Sequence, residues 1–394
     1  MTDIIPIAVP ALGARESEAA LGPIQRAWVA QGPEVAAFEA SFARYTTSPH
    51  ALACSSGTAA LHLALAALGV GPGDEVVVPG FTWVATANVV ELLGARAVLC
   101  DVDPDTFVAS ASHLEAAISP RTRALLPVHL FGYVADMPAI LDLAARHGLA
   151  VVEDAACAAG SFFGGQHAGT FGDLGAFSFH PRKVITCGEG GLVLARDGEV
   201  AGRVASLRNH GAEGTLVPPG VEPSLAEDSA RLLEERPGAR AYVMADFVRP
   251  GFNYRLTDIQ GAIMRVQLER LDELVTRRRE LASRYHDAFA GLPLSLPVEP
   301  EGMIHAYQAY VVRVLPDASI SRDALADALA RRGIQTRQGT HALHLLGAYR
   351  ERYRPEELPG CLEAHRRSLA LPLYPDLTDA QVERVVAAVR EALG

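Results

Sequence analysis

Short apolar segments alternate with helical stretches over residues 50–195, and this alternation constrains the fold more than any other feature. The predicted strands are Ala51–Cys54, Glu75–Pro79, Ala97–Asp101, Ala124–His129, Ala150–Glu153 and Ala176–Phe179. The predicted helices between them are Thr58–Leu68, Ala85–Leu93 and Met137–His147. Strands that are apolar along their whole length are typical of sheets covered on both faces. The pattern therefore predicts an α/β fold, built in layers around a mostly parallel sheet.

The second half of the chain interrupts this alternation. Residues 212–250 contain several prolines and glycines, which predict a long excursion that carries a short helix. A long helix, Thr257–Ala290, follows, with Thr257 or Asp258 as its cap and Gly291 as its stop signal.

A smaller C-terminal domain is predicted beyond a Pro-rich hinge at Leu292–Pro300. Its expected elements are a strand, Ala309–Val314, and two helices, Arg322–Arg332 and Asp379–Leu393. With 394 residues the chain is long for one domain. We expect a large domain with an N-terminal arm over residues 1–255, and a linking helix with a small α+β domain over residues 256–394.

The composition excludes several classes of protein. A formal charge of −11 disfavours general nucleic-acid binding, which requires a basic face. No apolar run reaches the ~18 residues that a membrane helix needs, and the N-terminus lacks the pattern of a signal peptide. Five widely spaced cysteines argue against a disulfide framework or a zinc site. We therefore expect a cytoplasmic protein without a metal site.

Lys183 is the only lysine in the chain, which contains 34 arginines. Arginine can replace lysine as a carrier of positive charge, but it cannot become a neutral, nucleophilic amine. The alternative explanation for the single lysine is a codon bias towards arginine that left one lysine by chance. The surrounding sequence, SFHPRKVITCGEGG, favours a functional lysine.

Three further segments offer groups that a cofactor could use. The segment Cys54–Thr58 joins a strand to a helix and suits a phosphate, although it could equally be an ordinary capping turn. Asp154 ends an apolar strand, where an acidic side chain can keep a pyridine nitrogen protonated; the alternative is a helix cap. Trp83 could stack on an aromatic ring or belong to the core.

One cofactor accounts for these groups together. Pyridoxal phosphate (PLP) needs phosphate donors, a ring stack, an aspartate at its ring nitrogen and a lysine that forms a Schiff base. Ser178, five residues before Lys183, is a further candidate for the phosphate. The sequence therefore predicts a PLP site.

Several motifs closely resemble the sugar aminotransferase family called DegT/DnrJ/EryC1/StrS. They are SSGTAALHLAL, GPGDEVVVPGFTWVATAN, VVEDAACAAGS, GDLGAFSFHPRKVITCGEGG, LRNHG and GFNYRLTDIQGAI, and the resemblance extends over about residues 5–390. It implies a type I aminotransferase fold and a homodimer whose active sites are shared between subunits. It also implies that Lys183 is catalytic, and that the cofactor is held by Gly57, Thr58, Ala59, Trp83, Asp154, Cys157, Ser178, Lys183 and, across the dimer, Asn253.

Cys157 departs from the family pattern, which often has Gln or His there. That position usually lies near the cofactor ring or its O3′ oxygen, and a thiol is a weak hydrogen-bond partner. We therefore expect Cys157 to alter the hydrogen bonding around the cofactor without abolishing activity. Some relatives carry histidine in place of the lysine and act as sugar dehydratases, so Lys183 argues against that branch.

The resemblance implies a ping-pong transamination between L-glutamate and a ketone on a nucleotide-linked deoxysugar. The C-terminal stretch 333–344 resembles relatives that aminate C4 of 4-keto-6-deoxyhexoses. Arg255, Arg337 and His341 are candidates for anionic groups of the substrate. His341 and His344 have the spacing of a metal pair, but no third ligand is apparent. A carbocyclic, inosose-type ketone and a non-catalytic PLP-binding regulator remain as alternative functions.

Overall fold

The computed structural model describes residues 4–216 and 244–394. Within them the α-helices are α1 Ala14–Gln25, α2 Pro33–Thr46, α3 Gly57–Ala67, α4 Ala85–Leu92, α5 Ala111–Glu115, α6 Met137–His147, α7 Gly198–Arg208, α8 Asp258–Glu269, α9 Leu271–Phe289, α10 Arg322–Arg331, α11 Pro359–Arg367 and α12 Asp379–Leu393. The strands of the first half are β1 His50–Cys54, β2 Glu75–Pro79, β3 Phe81–Thr82, β4 Arg96–Cys100, β5 Thr122–Leu125, β6 Ala150–Asp154, β7 Phe162–Phe163, β8 Gln166–His167, β9 Leu174–Ser178 and β10 Gly191–Ala195. Those of the second half are β11 Ala212–Leu216, β12 Met244–Phe247, β13 Leu294–Ser295, β14 Met303–Ile304, β15 Tyr310–Val314, β16 His341–Ala342 and β17 Ser368–Leu371.

A seven-stranded sheet forms the centre of the molecule, in the order β1-β10-β9-β6-β5-β2-β4. All of its strands run in one direction except β10, so the predicted α/β fold with a mostly parallel sheet is confirmed. Helices cover both faces, which is why strands such as β2 are buried at every residue.

The predicted elements of the first half match the structure closely, with one clear error. Most strand and helix boundaries differ by one or two residues. The predicted strand Ala124–His129 is too long, since β5 ends at Leu125. Pro127 follows and has no amide to donate to a neighbouring strand.

Strand β10 was not among the predicted strands. It runs antiparallel between β1 and β9, pairing Gly191 with both Cys54 and Ser178. The loop 179–190 is therefore the connection of a β-hairpin. A side chain at position 191 is impossible here, because an added Cβ would lie 2.2 Å from the carbonyl oxygen of Ser56.

The long helix predicted over Thr257–Ala290 is divided in two at Arg270, which has φ −98° and ψ −2° and separates α8 from α9. The guanidinium of Arg270 donates to the carbonyl oxygen of Ala11 at 3.1 Å and to Glu16 at 2.7 Å. Contacts with the N-terminal segment therefore fix the break.

The two candidate caps of the long helix have different roles. Thr257 caps α8, because its hydroxyl accepts the Gln260 amide. Asp258 instead accepts the amides of Glu34 and Val35 at the start of α2. The second part of the helix ends at Phe289, two residues before Gly291, which has φ +81°.

The buried apolar residues form two clusters. The larger surrounds the central sheet and includes Met264 and Leu268 of α8. The smaller lies between the antiparallel sheet β13-β15-β17 and helices α9, α10 and α12. Ile5 of the N-terminal arm belongs to the smaller cluster, through a backbone pairing with Ile334.

The excursion predicted at 212–250 begins and ends in the antiparallel pair β11 and β12. Its predicted short helix lies outside the described residues. Over the described part of the chain, no helix combines the length and the apolar character needed to cross a membrane.

Candidate active site

Most of the predicted site residues lie at one edge of the central sheet. Asp154 and Ser178 are the last residues of the adjacent parallel strands β6 and β9, and β1 runs in the same direction into helix α3. Lys183 lies in the β9–β10 hairpin loop, which starts and ends at this edge because Ser178 pairs with Gly191. The carboxyl ends of parallel strands are where α/β proteins bind ligands.

The start of helix α3 forms a cradle for an anion. Ser56 caps the helix, its hydroxyl accepting the Ala59 amide at 3.1 Å. The amides of Gly57 and Thr58 have no hydrogen-bond partner among the described residues. Ser178 lies directly beside them, since a Cβ added to Gly57 would be 2.6 Å from the Ser178 Cβ. Two free amides and a serine hydroxyl at a helix N-terminus suit a phosphate.

Asp154 is buried and its carboxylate is held by two hydrogen bonds. Oδ2 accepts from the Thr86 hydroxyl at 2.8 Å, and Oδ1 accepts from the Ala156 amide at 3.1 Å. Burial raises the pKa of Asp154, while these two donors and the positive charge of Lys183 oppose the rise. No helix of the described chain begins at Asp154, so it is not a helix cap.

Glu153 points to the opposite face of strand β6, as alternation along a strand requires. Its buried carboxylate accepts the amides of Gly169 and Gly172, both at 2.7 Å, and contacts His129 Nε2 at 2.7 Å. His129 Nδ1 accepts the Ala135 amide, so Nε2 carries the proton. The pairing of Glu153 with His129 was not predicted from the sequence, although adjacent acids at a strand end indicate that one faces away from the site.

The Lys183 amine lies against Cys157. Their Nζ and Sγ atoms are 3.2 Å apart, and both residues are half-buried. The Lys183 amide donates to the His180 carbonyl oxygen at 2.8 Å, which forms a turn in the loop. Burial lowers the pKa of His180. The structure thus places the Cys157 thiol beside the amine of Lys183.

Trp83 is not a core residue, because 53% of it is exposed. Its indole ring has His341 on one side, with ring centroids 5.9 Å apart, and the Arg337 guanidinium 5.9 Å from its centroid. Strand β16 brings these C-terminal residues here by pairing His341 with Thr82 of β3. Two of the three candidate substrate-binding residues therefore contact Trp83.

Two other predicted residues lie apart from this group. The Arg255 guanidinium donates to the Asn209 side chain at 2.5 Å. Asn253 is exposed, and its segment is joined to the loop before α3 by a hydrogen bond from the Ser55 amide to the Tyr254 carbonyl oxygen. The described part of the chain contains no group of three His, Cys, Asp or Glu side chains that could hold a metal.

Thr86 is a further residue at the site that the sequence analysis missed. It is fully buried in the first turn of α4 and donates to Asp154. The only signal in the sequence is its position three residues after Trp83 in the motif FTWVAT. That spacing places both residues at one helix start, but it does not reveal the contact with a strand 68 residues away.

The groups at this edge fit PLP. The free amides at Gly57 and Thr58 match its phosphate, buried Asp154 matches its ring nitrogen, and Lys183 supplies the one lysine amine. Trp83 offers an exposed aromatic face.

Comparisons with known proteins agree with a PLP-dependent enzyme. The model of the DegT/DnrJ/EryC1/StrS aminotransferase family matches residues 10–390. The structure is similar to the aminotransferase TlmJ from Streptoalloteichus hindustanus, with 36% sequence identity, a TM-score of 0.87 and 99% of each chain covered. It is also similar to S. venezuelae DesV in complex with a ketimine intermediate, at 37% identity, a TM-score of 0.83, and 95% of this chain and 93% of DesV covered. Spr1654 from Streptococcus pneumoniae, in its PLP form, matches over 100% of both chains at 27% identity and a TM-score of 0.88.

These matches confirm the resemblance and the cofactor predicted from the sequence. The chain belongs to the DegT/DnrJ/EryC1/StrS aminotransferase family and is a PLP-dependent sugar aminotransferase.

Proposed function

We propose that this enzyme transfers the amino group of L-glutamate to the ketone of a nucleotide-linked 4-keto-6-deoxyhexose. The observation that carries the proposal is the position of Lys183, the chain's one lysine, at the sheet edge shared by Asp154 and the α3 anion cradle. The preference for a 4-keto sugar rests on the resemblance of residues 333–344 to enzymes that aminate C4.

Each predicted residue has a defined task in this proposal. PLP, when bound, supplies an aldehyde that takes up the amino group and a ring that accepts electrons. Gly57, Thr58 and Ser178 hold its phosphate, and Asp154 holds a proton at its ring nitrogen. The Ala59 amide already donates to Ser56, so Ala59 contributes mainly to the helix start.

Lys183 moves the proton on which transamination depends. With PLP bound, the free Lys183 amine would act as the base that takes the proton from the substrate Cα and as the acid that returns it. The Cys157 thiol, 3.2 Å from this amine, is the nearest side chain available to orient it. The same amine would serve both halves of a ping-pong cycle: in the first half water would release the donor as oxoglutarate, and in the second half the sugar ketone would receive the amino group and release water.

The substrate binds beside Trp83 in this proposal. Arg337 and His341 flank the indole, and their charge and hydrogen-bonding capacity suit a phosphate or carboxylate of the substrate. Arg255 is a more distant candidate, since its guanidinium is engaged by Asn209.

We further propose a homodimer that shares its active sites. Asn253 is exposed, which suits a side chain that reaches the cofactor phosphate of a second subunit. The smaller hydrophobic cluster, which apart from Ile5 lies within residues 281–393, supports a separate C-terminal unit. Met264 and Leu268 of the linking helix α8 pack in the larger cluster instead. All five cysteines are unpaired, which supports a cytoplasmic setting.

The test is a panel of keto-sugar nucleotides and carbocyclic ketones, each incubated with the purified enzyme, PLP and L-glutamate. We expect oxoglutarate and a product whose mass identifies an aminated 4-keto-6-deoxyhexose. Turnover with an inosose-type ketone alone would overturn the proposed substrate. Failure to bind PLP at all would give no information on the ketone and would contradict the proposed PLP site.

Two variants test the role of Lys183 within the same assay. Lys183→Ala and Lys183→Arg should both lower turnover by about 10²-fold or more, because neither keeps a neutral amine. The arginine variant retains the positive charge and so controls for electrostatics. Borohydride reduction of the wild type should attach the cofactor to the Lys183 side chain, and cofactor on any other residue would contradict the assignment.

A further inference from the structure

Thr86 connects two residues of the proposed cofactor site that are far apart in sequence. Its side-chain oxygen is 2.8 Å from Asp154 Oδ2, at the end of strand β6, and 3.0 Å from the Trp83 carbonyl oxygen. The Thr82 hydroxyl lies 3.3 Å away. Thr82, Thr86 and Asp154 are all buried.

The single hydroxyl proton of Thr86 is directed to Asp154. A carboxylate is a stronger acceptor than a neutral carbonyl oxygen. The Trp83 carbonyl, moreover, already accepts the backbone amide of Thr86 at 3.2 Å. The Thr82 hydroxyl can in turn donate to Thr86, which would polarise the Thr86 hydroxyl and strengthen its bond to Asp154.

We propose that Thr86 is the positioning residue of the cofactor site: its hydroxyl fixes the orientation of the Asp154 carboxylate, and its backbone amide holds the Trp83 carbonyl. The proposal rests on the proposed role of Asp154 at the ring nitrogen of PLP. Thr86 itself touches neither the substrate nor the reacting atoms in this assignment. It acts through the residue that it holds.

Burial explains why Asp154 needs such a partner. Removal from water disfavours the charged carboxylate and raises its pKa, whereas a donated hydrogen bond favours the charged form. Thr86 and the Ala156 amide each occupy one carboxylate oxygen and leave other lone pairs for the ring nitrogen. Without the hydroxyl, Asp154 would lose both part of its ionisation and its fixed rotamer.

Thr86→Val tests this proposal, because valine keeps the shape of threonine and removes only the donor. Thr86→Ser is the matched control, which keeps the hydroxyl and removes a methyl group. Each is compared with wild type and with Asp154→Asn in two measurements: the dissociation constant of PLP by titration of the apo-enzyme, and the pH dependence of the bound cofactor's visible spectrum. Circular dichroism and a urea midpoint confirm folding, and Thr86→Ala replaces the valine variant if that protein does not fold.

We expect Thr86→Val to weaken PLP binding about tenfold or more, the effect of one hydrogen bond to a charged group, and to displace the pH midpoint of the spectrum. Thr86→Ser should lie close to wild type in both measurements. A valine variant with the wild-type dissociation constant and spectrum would overturn the role of Thr86, as would a serine variant that is impaired equally. If Asp154→Asn also behaved as wild type, the proposed role of Asp154 itself would fail.

Discussion

Replacing Gly57 by alanine should disturb the phosphate cradle through a single added carbon. That Cβ would lie 2.6 Å from the Cβ and 3.2 Å from the Cα of Ser178. Carbon atoms in contact are normally about 3.5–4.0 Å apart, so helix α3 must move by about 1 Å. Strand β9 cannot give way instead, because Ser178 is paired with Gly191 in the sheet.

The same substitution at a second glycine, Gly202, serves as a control that separates the steric clash at Gly57 from the general helix preference of alanine. Gly202 lies exposed in helix α7, and an added Cβ there would meet nothing within 4 Å. Gly202→Ala should therefore gain the full helix preference of alanine, about 1 kcal/mol. Gly57→Ala should gain no more stability than this from helix preference, and overpacking should lower its free energy of unfolding by about 1–3 kcal/mol. The two variants should differ by about 1–3 kcal/mol, with Gly202→Ala the more stable.

Urea unfolding of the two apo-proteins measures this difference, and titration with PLP measures its consequence for the site. Gly57→Ala should bind PLP about tenfold more weakly, because a displaced amide loses a hydrogen bond to a charged phosphate. Gly202→Ala should bind PLP like wild type. If Gly57→Ala matched Gly202→Ala in both stability and affinity, the start of α3 would not be the phosphate cradle.

Three further outcomes are expected. Glu153→Gln should lower the free energy of unfolding in urea by about 3 kcal/mol, since an amide cannot accept from every donor that now surrounds the carboxylate, Gly172 among them; an unchanged midpoint would contradict this. Burial lowers the pKa of His305 to about 3, so below about pH 6.5 the unfolded chain takes up a proton that the folded chain does not, and stability falls as the pH falls. His305→Asn should therefore reduce the pH slope of the unfolding free energy between pH 6 and 4 by about 1.4 kcal/mol per unit, and an equal slope would refute the assignment. In the apo-protein, iodoacetamide should alkylate Cys157 before it alkylates the four buried thiols. PLP bound near Lys183 should slow the alkylation of Cys157, and mass spectrometry would detect both effects.

The α/β architecture could be predicted because its signal is local. A strand covered on both faces must be apolar throughout, as Glu75–Pro79 nearly is, and the helices between strands have their own period. The direction of β10 could not be predicted in this way. Gly191–Ala195 is as apolar as its parallel neighbours, and only its pairing with β1 and β9 distinguishes it.

The break in the long helix and the exposure of Trp83 depend on distant partners. Nothing in the residues around Arg270 opposes a continuous helix, and the break is fixed by Glu16, 254 residues away. Trp83 is exposed at the sheet edge that we propose as the cofactor site, and local composition does not record that exposure.

The cofactor residues were predictable to a different degree from those that support them. Lys183 and Asp154 have chemical properties that few other residues share, so their identity and place in the chain were informative. Thr86 has no such mark, since buried threonines are common and its importance comes entirely from what lies 2.8 Å away. Supporting residues of this kind become visible only in three dimensions.

The position of β1 at the border of the central sheet links the two ends of the cofactor energetically. Within the sheet β1 is hydrogen-bonded to β10 alone, and β10 also closes the hairpin that carries Lys183. We therefore expect an anion bound at α3 to stabilise β1 and, through β10, the backbone of the lysine loop. By thermodynamic linkage, inorganic phosphate alone should slow amide hydrogen exchange in β10. Binding of the cofactor's phosphate group would then order the lysine loop for the part of the cofactor that meets Lys183.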